Sequence, residues 1–169
     1  ADVAAIQQVI NEWGDELDIN DGLKMIEADV LTKDCRYNVG GVWREGAAEA
    51  AQFYTERKPR LEAAGGVPVM RHLMMNYKVK LTGEDTAEVG FLLLFFAAVG
   101  TPPFDTCDPA AVADVRMEAR REGDGHWRIS LFDTAAKAAE MKKKGEIPES
   151  LDTKLQTETP LTFPNGCHV

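Results

Sequence analysis

The chain has 169 residues, of which 44% are hydrophobic and 28% charged, so it is long enough for one domain with a complete core and too short for two. Its formal net charge of −9 and its pI near 4.8 argue against nucleic-acid binding, which requires a basic surface. The longest apolar run, 91–99, is too short to cross a bilayer, and three widely spaced cysteines indicate neither a zinc site nor a disulfide framework. We therefore expect a soluble, cytoplasmic protein with no membrane contact.

The first third of the sequence predicts helices. Apolar residues recur at three- and four-residue steps over 2–19, which indicates an amphipathic helix with Asp18 at the edge of its buried stripe. A second, short helix is predicted at 23–30. The Ala-rich segment 46–58 predicts a third helix, which Pro59 should end or leave frayed.

Strands dominate the rest of the chain. Alternating residues predict strands at 35–39 (with 42–43 as a continuation), 69–81, 86–99, 112–121 and 126–134, followed by a short helix at 135–144. Both faces of 86–99 are apolar, so this strand should lie centrally in its sheet. We expect one domain at 1–145, of the α+β class, with helices on one face of a curved sheet. The segment 146–169 is predicted to be an extended tail that is disordered or wraps this domain or a neighbour.

The strand at 69–81 carries the first candidate site. His72 and Asn76 lie on one of its faces among methionines, and Arg71 lies on the other. Both faces are largely apolar over the first half, as expected of a strand covered on both sides. A polar pair in an apolar wall is typical of small-molecule pockets. The alternative is a buried histidine that bonds a backbone carbonyl.

The last strand adds a second candidate. Trp127, Ile129, Leu131 and Asp133 alternate on one face, so Asp133 ends an otherwise apolar row. It either bonds the backbone at the strand end or faces a pocket.

Several short phrases resemble the nuclear-transport-factor-two-like superfamily, in its SnoaL-like branch, which includes scytalone dehydratase and relatives of ketosteroid isomerase. These phrases are WGDELDINDGL at 13–23, DCRY at 34–37, GAAEAAQF at 46–53, RHL at 71–73 and GHWRI at 125–129. The resemblance covers about 1–140. It implies a cone in which a curved, mixed and mainly antiparallel sheet wraps three N-terminal helices around an apolar pocket. It also implies a homodimer or homotrimer, because the outer sheet face often joins copies.

The resemblance further implies roles for two residues. In the scytalone dehydratase branch, a His early in the first long strand acts as acid and base, paired with an Asp near the end of helix one. Those roles fall here on His72 and Asp18. The family has a Tyr directly before that Asp, where this chain has Leu17, and Tyr37 is the candidate to supply the phenol instead.

An Asp–His pair in an apolar cone can remove a proton from a hydroxyl or a carbon acid without help from a metal or cofactor. The sequence has no GxGxxG, no Walker loop and no second His close to His72, so we expect neither a metal nor a cofactor. Arg71, Tyr37 and Asn76 are the candidate donors, with an oligomer-interface pair as the alternative for Arg71, and Asp133 is a candidate second carboxylate. The apolar lining would come from Trp43, Phe53, Phe96, Met70 and Met74, each of which could instead be a core residue.

Three functions fit these residues. The first is a lyase that eliminates water or formaldehyde from a hydrophobic, hydroxylated aromatic molecule. The second is an isomerase or cyclase of the ketosteroid isomerase kind, with Asp18 or Asp133 as the base. The third is a non-catalytic ligand-binding or assembly domain, since fold does not imply function.

Overall fold

The computed structural model describes residues 1–105 and 108–146. The elements of this part of the chain are, in order, α1 (Asp2–Asn20), β1 (Leu31–Val39), β2 (Val42–Glu45), α2 (Ala47–Ala63), β3 (Val69–Leu81), β4 (Thr86–Ala98), β5 (Ala111–Arg121), β6 (Trp127–Asp133) and α3 (Ala136–Lys143). The predicted tail at 146–169 lies, apart from its first residue, outside the described residues.

The six strands form one sheet in the order β2-β1-β6-β5-β4-β3. Only the β1–β6 pair is parallel, because the chain returns to β1 after the antiparallel meander from β3 to β6. α1 packs on β3 and β6, and α2 packs on β1, so both helices cover the same side of the sheet. The α+β class and the curled, mixed, mainly antiparallel sheet are thus confirmed.

An aromatic cluster lies at the centre of the core between α1 and the sheet. Trp13 of α1 packs 4.5 Å from Phe132 of β6, measured between ring centroids, and Tyr37 of β1 stacks on the same ring at 5.0 Å. These three side chains are almost fully buried. Burying large aromatic rings is among the strongest contributions to a small core, so this cluster fixes α1 against the strands that carry the candidate site.

Two of the predicted helices differ in the structure. The segment 23–30 forms successive turns, with Met25 N–H donating to Gly22 O and Asp29 N–H to Ile26 O, because Met25 and Val30 bury themselves while Ile26 stays exposed. An amphipathic stripe is therefore lacking there. Pro59 does not end α2, which continues to Ala63.

β3 is an edge strand whose outer face is uncovered in the described part of the chain, so the prediction that both its faces are covered is wrong. Its outward residues Leu73 and Met75 are 43% and 36% exposed. A bulge interrupts its alternation, since Asn76 has a φ of 57° and the pairing with β4 shifts between Met75 and Lys78. Met70 and His72 face inward before the bulge, and Tyr77 faces inward after it.

A second register shift lies between β5 and β6, opposite the segment from Ile129 to Leu131. Trp127, Ile129 and Phe132 belong to the core, whereas Leu131 and Asp133 line a cavity on the outer face. The prediction that Trp127 and Asp133 share a face is therefore wrong.

Candidate active site

The carboxylate of Asp18 makes two hydrogen-bond contacts with His72, one through each of its oxygens. Asp18 lies in the last turn of α1 and His72 near the start of β3, elements that pack against each other. The ring nitrogen Nδ1 of His72 lies 2.6 Å from Asp18 Oδ1, and the backbone N–H of His72 donates to Oδ2 at 3.0 Å. The side chains are only 10% and 13% exposed, respectively. Two such contacts fix both the position of the imidazole and its orientation.

This pairing decides which tautomer of His72 is favoured. A carboxylate accepts hydrogen bonds and donates none, so the ring proton belongs on Nδ1 and the lone pair on Nε2. Within 1–105 and 108–146 no protein group hydrogen-bonds Nε2. The imidazole is therefore oriented to accept a proton at Nε2.

Two aromatic rings flank the imidazole. Trp13 meets it edge to face, with 5.7 Å between centroids, and Phe95 of β4 lies 4.8 Å away on the neighbouring strand. Phe95 is the cross-strand partner of His72 in the β3–β4 ladder. Neither ring was among the predicted site residues, and their position gives the base an apolar, aromatic surrounding.

Tyr37 is placed deeper than a substrate-binding phenol. It is fully buried, and its hydroxyl accepts from Trp13 Nε1 at 3.0 Å and lies 2.6 Å from the hydroxyl of Tyr54. Burial raises the pKa of Tyr37 well above its usual range, so this phenol stays neutral. Its hydrogen bonds reach neither Asp18 nor His72.

Met70 and Met74 of β3 and Phe53 of α2 lie on the inner side of the sheet. Met70 is 2% exposed, and Met74 and Phe53 pack partly buried against the core. The guanidinium of Arg44 lies over the Phe53 ring at 3.8 Å and donates to two backbone carbonyls. These side chains can line the interior, although none of them hydrogen-bonds Asp18 or His72.

Four other predicted site residues do not join His72. Asn76 is exposed at the bulge, which removes it from the inner face. Trp43 is 40% exposed under the guanidinium of Arg36, 4.5 Å away, on the outer face.

Asp133 accepts hydrogen bonds from Asn38 Nδ2 and from the backbone of Ala135. Of its two predicted roles, this is the hydrogen bond at the end of the strand. Phe96 lines an outer groove, because Phe95 shares the inner face of β4 with the buried Phe91 and Leu93.

Arg71 lies on the outer face, as the alternation of β3 predicts. It approaches the backbone of Asp18 and not the side chains of Asp18 and His72. Its Nη1 donates to the carbonyl oxygen of Met70 at 2.6 Å and lies 3.5 Å from that of Asp18. A cation near the last carbonyls of a helix is favourable, so Arg71 supports the end of α1 that carries Asp18.

Two cavities are found on the outer side of the sheet. One of about 420 Å³ is lined by residues that include Trp43, Arg116 and Asp133, and one of about 300 Å³ by residues that include Arg71 and Phe96. Neither is lined by His72 or Asp18.

Asp29, Asp124 and His126 form the one group in the described chain with metal-ligand spacing, their ligand atoms lying within 4.8 Å of one another. Both carboxylates already bind the guanidinium of Arg128, at distances from 2.5 to 3.0 Å. This cluster is an ion-pair network that joins the turn before β1 to the turn before β6.

Similar solved structures share this architecture. One is a protein from Catenulispora acidiphila in complex with S-DNPA, with 17% identity and a TM-score of 0.62 over 82% of this chain and 96% of that one. Another is a nuclear-transport-factor-two-like protein of cystatin-like fold from Novosphingobium aromaticivorans, with 24% identity and a TM-score of 0.61 over 81% and 87%. A third is a candidate scytalone dehydratase from the same organism, with 14% identity and a TM-score of 0.57 over 78% and 81%. These similarities establish the cystatin-like cone fold.

The SnoaL-like domain family matches residues 1–133, so the protein belongs to that family. No protein of curated function matches the sequence. No helix in the described ranges is long and apolar enough to cross a membrane.

Proposed function

We propose that the protein is a cofactor-independent lyase that acts on a hydrophobic, hydroxylated aromatic molecule, with His72 as the base and Asp18 as the residue that orients it. The observation that carries the proposal is the two-point contact of Asp18 with the Nδ1 and backbone N–H of His72. This contact leaves Nε2 as the basic atom, in a setting of aromatic rings.

In a dehydration, Nε2 removes a proton from a substrate carbon. The electron pair of that C–H bond forms a C=C bond while the neighbouring C–O bond breaks. The imidazolium then returns the proton to the departing hydroxyl group, which leaves as water. Asp18 stabilises the imidazolium between these two transfers.

In a deformylation, the same atom removes the proton of a hydroxymethyl O–H group. The O–H electron pair forms the C=O bond of formaldehyde, and the C–C bond between the hydroxymethyl group and the neighbouring side-chain carbon breaks. The conjugated aromatic ring delocalises the electron pair of that bond, and the side-chain carbon then takes the proton from the imidazolium. Both reactions need one base that becomes an acid, which is what an oriented histidine provides.

The geometry favours this reaction class over an isomerase with an aspartate base. Asp133 faces outward and accepts two hydrogen bonds at the strand end. Both oxygens of Asp18 are engaged by His72. The non-catalytic alternative predicts binding without turnover, so the experiment below separates it.

The test is incubation with a panel of phenols that carry a hydroxyl or hydroxymethyl group on a saturated side chain or a fused saturated ring, with product mass analysis. We expect loss of water or of formaldehyde, and a decrease of roughly 10²–10⁴-fold in turnover for His72→Gln. His126→Gln is the matched control, because His126 is exposed and outside the site. Binding of the panel with no mass change, or unchanged turnover by His72→Gln, would refute the lyase.

We also propose that the outer sheet face joins copies into a homodimer or homotrimer. Leu73, Leu94 and Val112 are aligned across β3, β4 and β5, and Leu73 and Val112 are 43% and 60% exposed. Such an apolar row is typical of a protein contact. Light scattering should give a smaller molecular mass for Leu73→Lys than for the native assembly. Leu23→Lys is the control, because Leu23 precedes β1 and is equally exposed, and its molecular mass should equal the native one.

A further inference from the structure

Arg57 projects from α2 onto the strand that carries His72. It lies three residues after the buried Tyr54, on the same face of the helix. Its Nη2 lies 3.3 Å from the sulfur of Met70, which is 2% exposed on the inner side of β3. Met70 and His72 are two residues apart on that side, about 7 Å along the strand. The guanidinium and the imidazole therefore lie along the same wall.

The guanidinium of Arg57 differs from the others in what it binds. Each other arginine in the described part of the chain reaches an oxygen, either a carboxylate or a backbone carbonyl. For Arg57, the only partner within hydrogen-bond distance among those residues is the thioether of Met70, which is a weak acceptor. The neighbouring Lys58, by contrast, pairs with Asp21 at 3.3 Å.

This environment is unfavourable for an uncompensated cation. Burial lowers the pKa of Arg57, although Tyr54 and the carboxylate of Asp21 act in the opposite direction and an arginine remains charged in proteins. A partly buried charge is normally paired. An anion placed against Arg57 would supply the missing oxygen acceptors and would neutralise the charge.

We infer that the guanidinium of Arg57 binds the carboxylate of a hydroxylated aromatic acid whose reacting group faces Nε2 of His72. The inference rests on the proposed function, and it narrows the substrate class from hydroxylated aromatic molecules to hydroxylated aromatic acids. An aromatic ring with its carboxylate at one end, and at the other a side chain that carries the reacting hydroxyl or hydroxymethyl group, matches a wall with a cation at one point and a base at another. The planar fork of arginine suits a carboxylate, because it can donate two parallel hydrogen bonds.

Other cations near the site are less suited to this role. Arg44 covers Phe53 and donates to the carbonyls of Val39 and Val42. Arg71 donates to Met70 O on the outer face. Arg57 is thus the specificity residue that the geometry assigns.

The experiment compares matched probes that differ in charge: a series of hydroxybenzoates and hydroxycinnamates, each with its neutral amide. Dissociation constants are measured by calorimetry for the native protein, Arg57→Met, Arg57→Lys and the control Arg60→Met. Met preserves the contact with Met70 and removes the charge, and Arg60 is exposed one turn from the site. Thermal unfolding checks that each variant is folded. If Arg57→Met does not fold, Arg57→Lys provides the test in its place.

We expect at least one acid to bind the native protein roughly tenfold or more tightly than its amide, as for a charge-assisted pair. Arg57→Met should remove this preference and leave the affinity for the amide unchanged, Arg57→Lys should reduce it, and Arg60→Met should keep it. The inference is overturned if no acid binds more tightly than its amide, or if the preference survives in Arg57→Met or is undiminished in Arg57→Lys.

Failure of the proposed function gives a different result. His72→Gln keeps the acid-over-amide preference whether or not His72 is the base, because that preference depends on Arg57. Turnover by His72→Gln therefore tests the base, and the preference in Arg57→Met tests the anion site.

Discussion

The indole ring of Trp13 packs edge to face on the imidazole of His72, with 5.7 Å between the ring centroids. Its Nε1 donates to the hydroxyl of Tyr37 at 3.0 Å, and that hydroxyl lies 2.6 Å from the hydroxyl of Tyr54. A buried hydrogen-bond chain from α2 through β1 thus positions one wall of the candidate site. Buried polar groups that are fully paired hold a core in one arrangement.

Tyr37→Phe should destabilise the protein by about 1–3 kcal/mol, since it leaves the buried Nε1 of Trp13 without an acceptor. Denaturant unfolding measures this. Tyr77→Phe is the matched control, because Tyr77 hydrogen-bonds Asn11 at an exposed position and its loss should have little effect. If both variants unfolded with the same small change, the Trp13–Tyr37–Tyr54 chain would not be a structural support.

Asp18→Asn should lower kcat/KM by roughly 10²–10⁴-fold while the protein remains folded. The amide of Asn has one acceptor oxygen for two N–H donors, and its NH₂ group presented to Nδ1 would favour the wrong tautomer of His72. Steady-state kinetics with the substrate found for the native protein gives the ratio. Asp15→Asn, at an exposed residue on the same helix, should match the native rate. An Asp18→Asn rate within a factor of about two of the native one would exclude an orienting role, since general acid–base catalysis is worth far more.

Long periodic segments could be predicted well from the sequence. The expected helix over 2–19 is observed as Asp2–Asn20, and the strand over 69–81 has the same bounds in the structure. Over 13 residues or more, one face of an element accumulates enough apolar positions to make its period unambiguous. The short segment 23–30 lacks that length, so its few apolar residues did not distinguish a helix from turns.

Side-chain direction was predictable only as far as the first bulge. The β3–β4 hairpin pairs Leu81 with Ala87 and Val79 with Val89, a register that would place His72 opposite Phe96. The extra residue at Asn76 shifts the register by one, so His72 meets Phe95 instead. Such a slip reverses the face of every side chain of β3 beyond the bulge, which explains why Asn76 was predicted to share the inner face with His72.

The contact between Asp18 and His72 follows from tertiary packing. The two residues are 54 positions apart, and their pairing was implied by the family resemblance rather than by any local pattern. Arg57 was predicted only as one position on a helix. Its contact with Met70 depends on how α2 lies on the sheet, which local sequence does not encode.

Asn76→Val should destabilise the protein by about 1–2 kcal/mol, because a β-branched residue is strained at a φ of 57°. Asn76→Gly should be nearly neutral in unfolding experiments, since glycine adopts this conformation freely. Lys78→Val is the control for adding an apolar residue to an exposed position of the same strand. Equal stability of Asn76→Val and Asn76→Gly would show that the bulge is not a constrained conformation.

The clamp of Arg128 between Asp29 and Asp124 should make stability depend on acid pH. The hydrogen bonds from Arg128 lower the pKa of both carboxylates below the usual value of an aspartate. A carboxylate with a lowered folded-state pKa contributes stability that is fully present above its unfolded pKa and is lost as the pH falls through the folded value. The contribution of Asp29 should thus be complete at pH 7 and decline below about pH 4.

Asp29→Asn should therefore lower the free energy of unfolding at pH 7 by no more than about 1 kcal/mol, since the carboxylate is 61% exposed and solvent weakens the pair. The difference from the native protein should narrow as denaturant unfolding is repeated at successively lower pH below 4. Asp15→Asn, at an exposed residue without an ion pair among the described residues, should show no such pH dependence. A difference that stayed constant down to pH 2 would mean that Asp29 acts through packing or its neutral hydrogen bonds rather than through its charge.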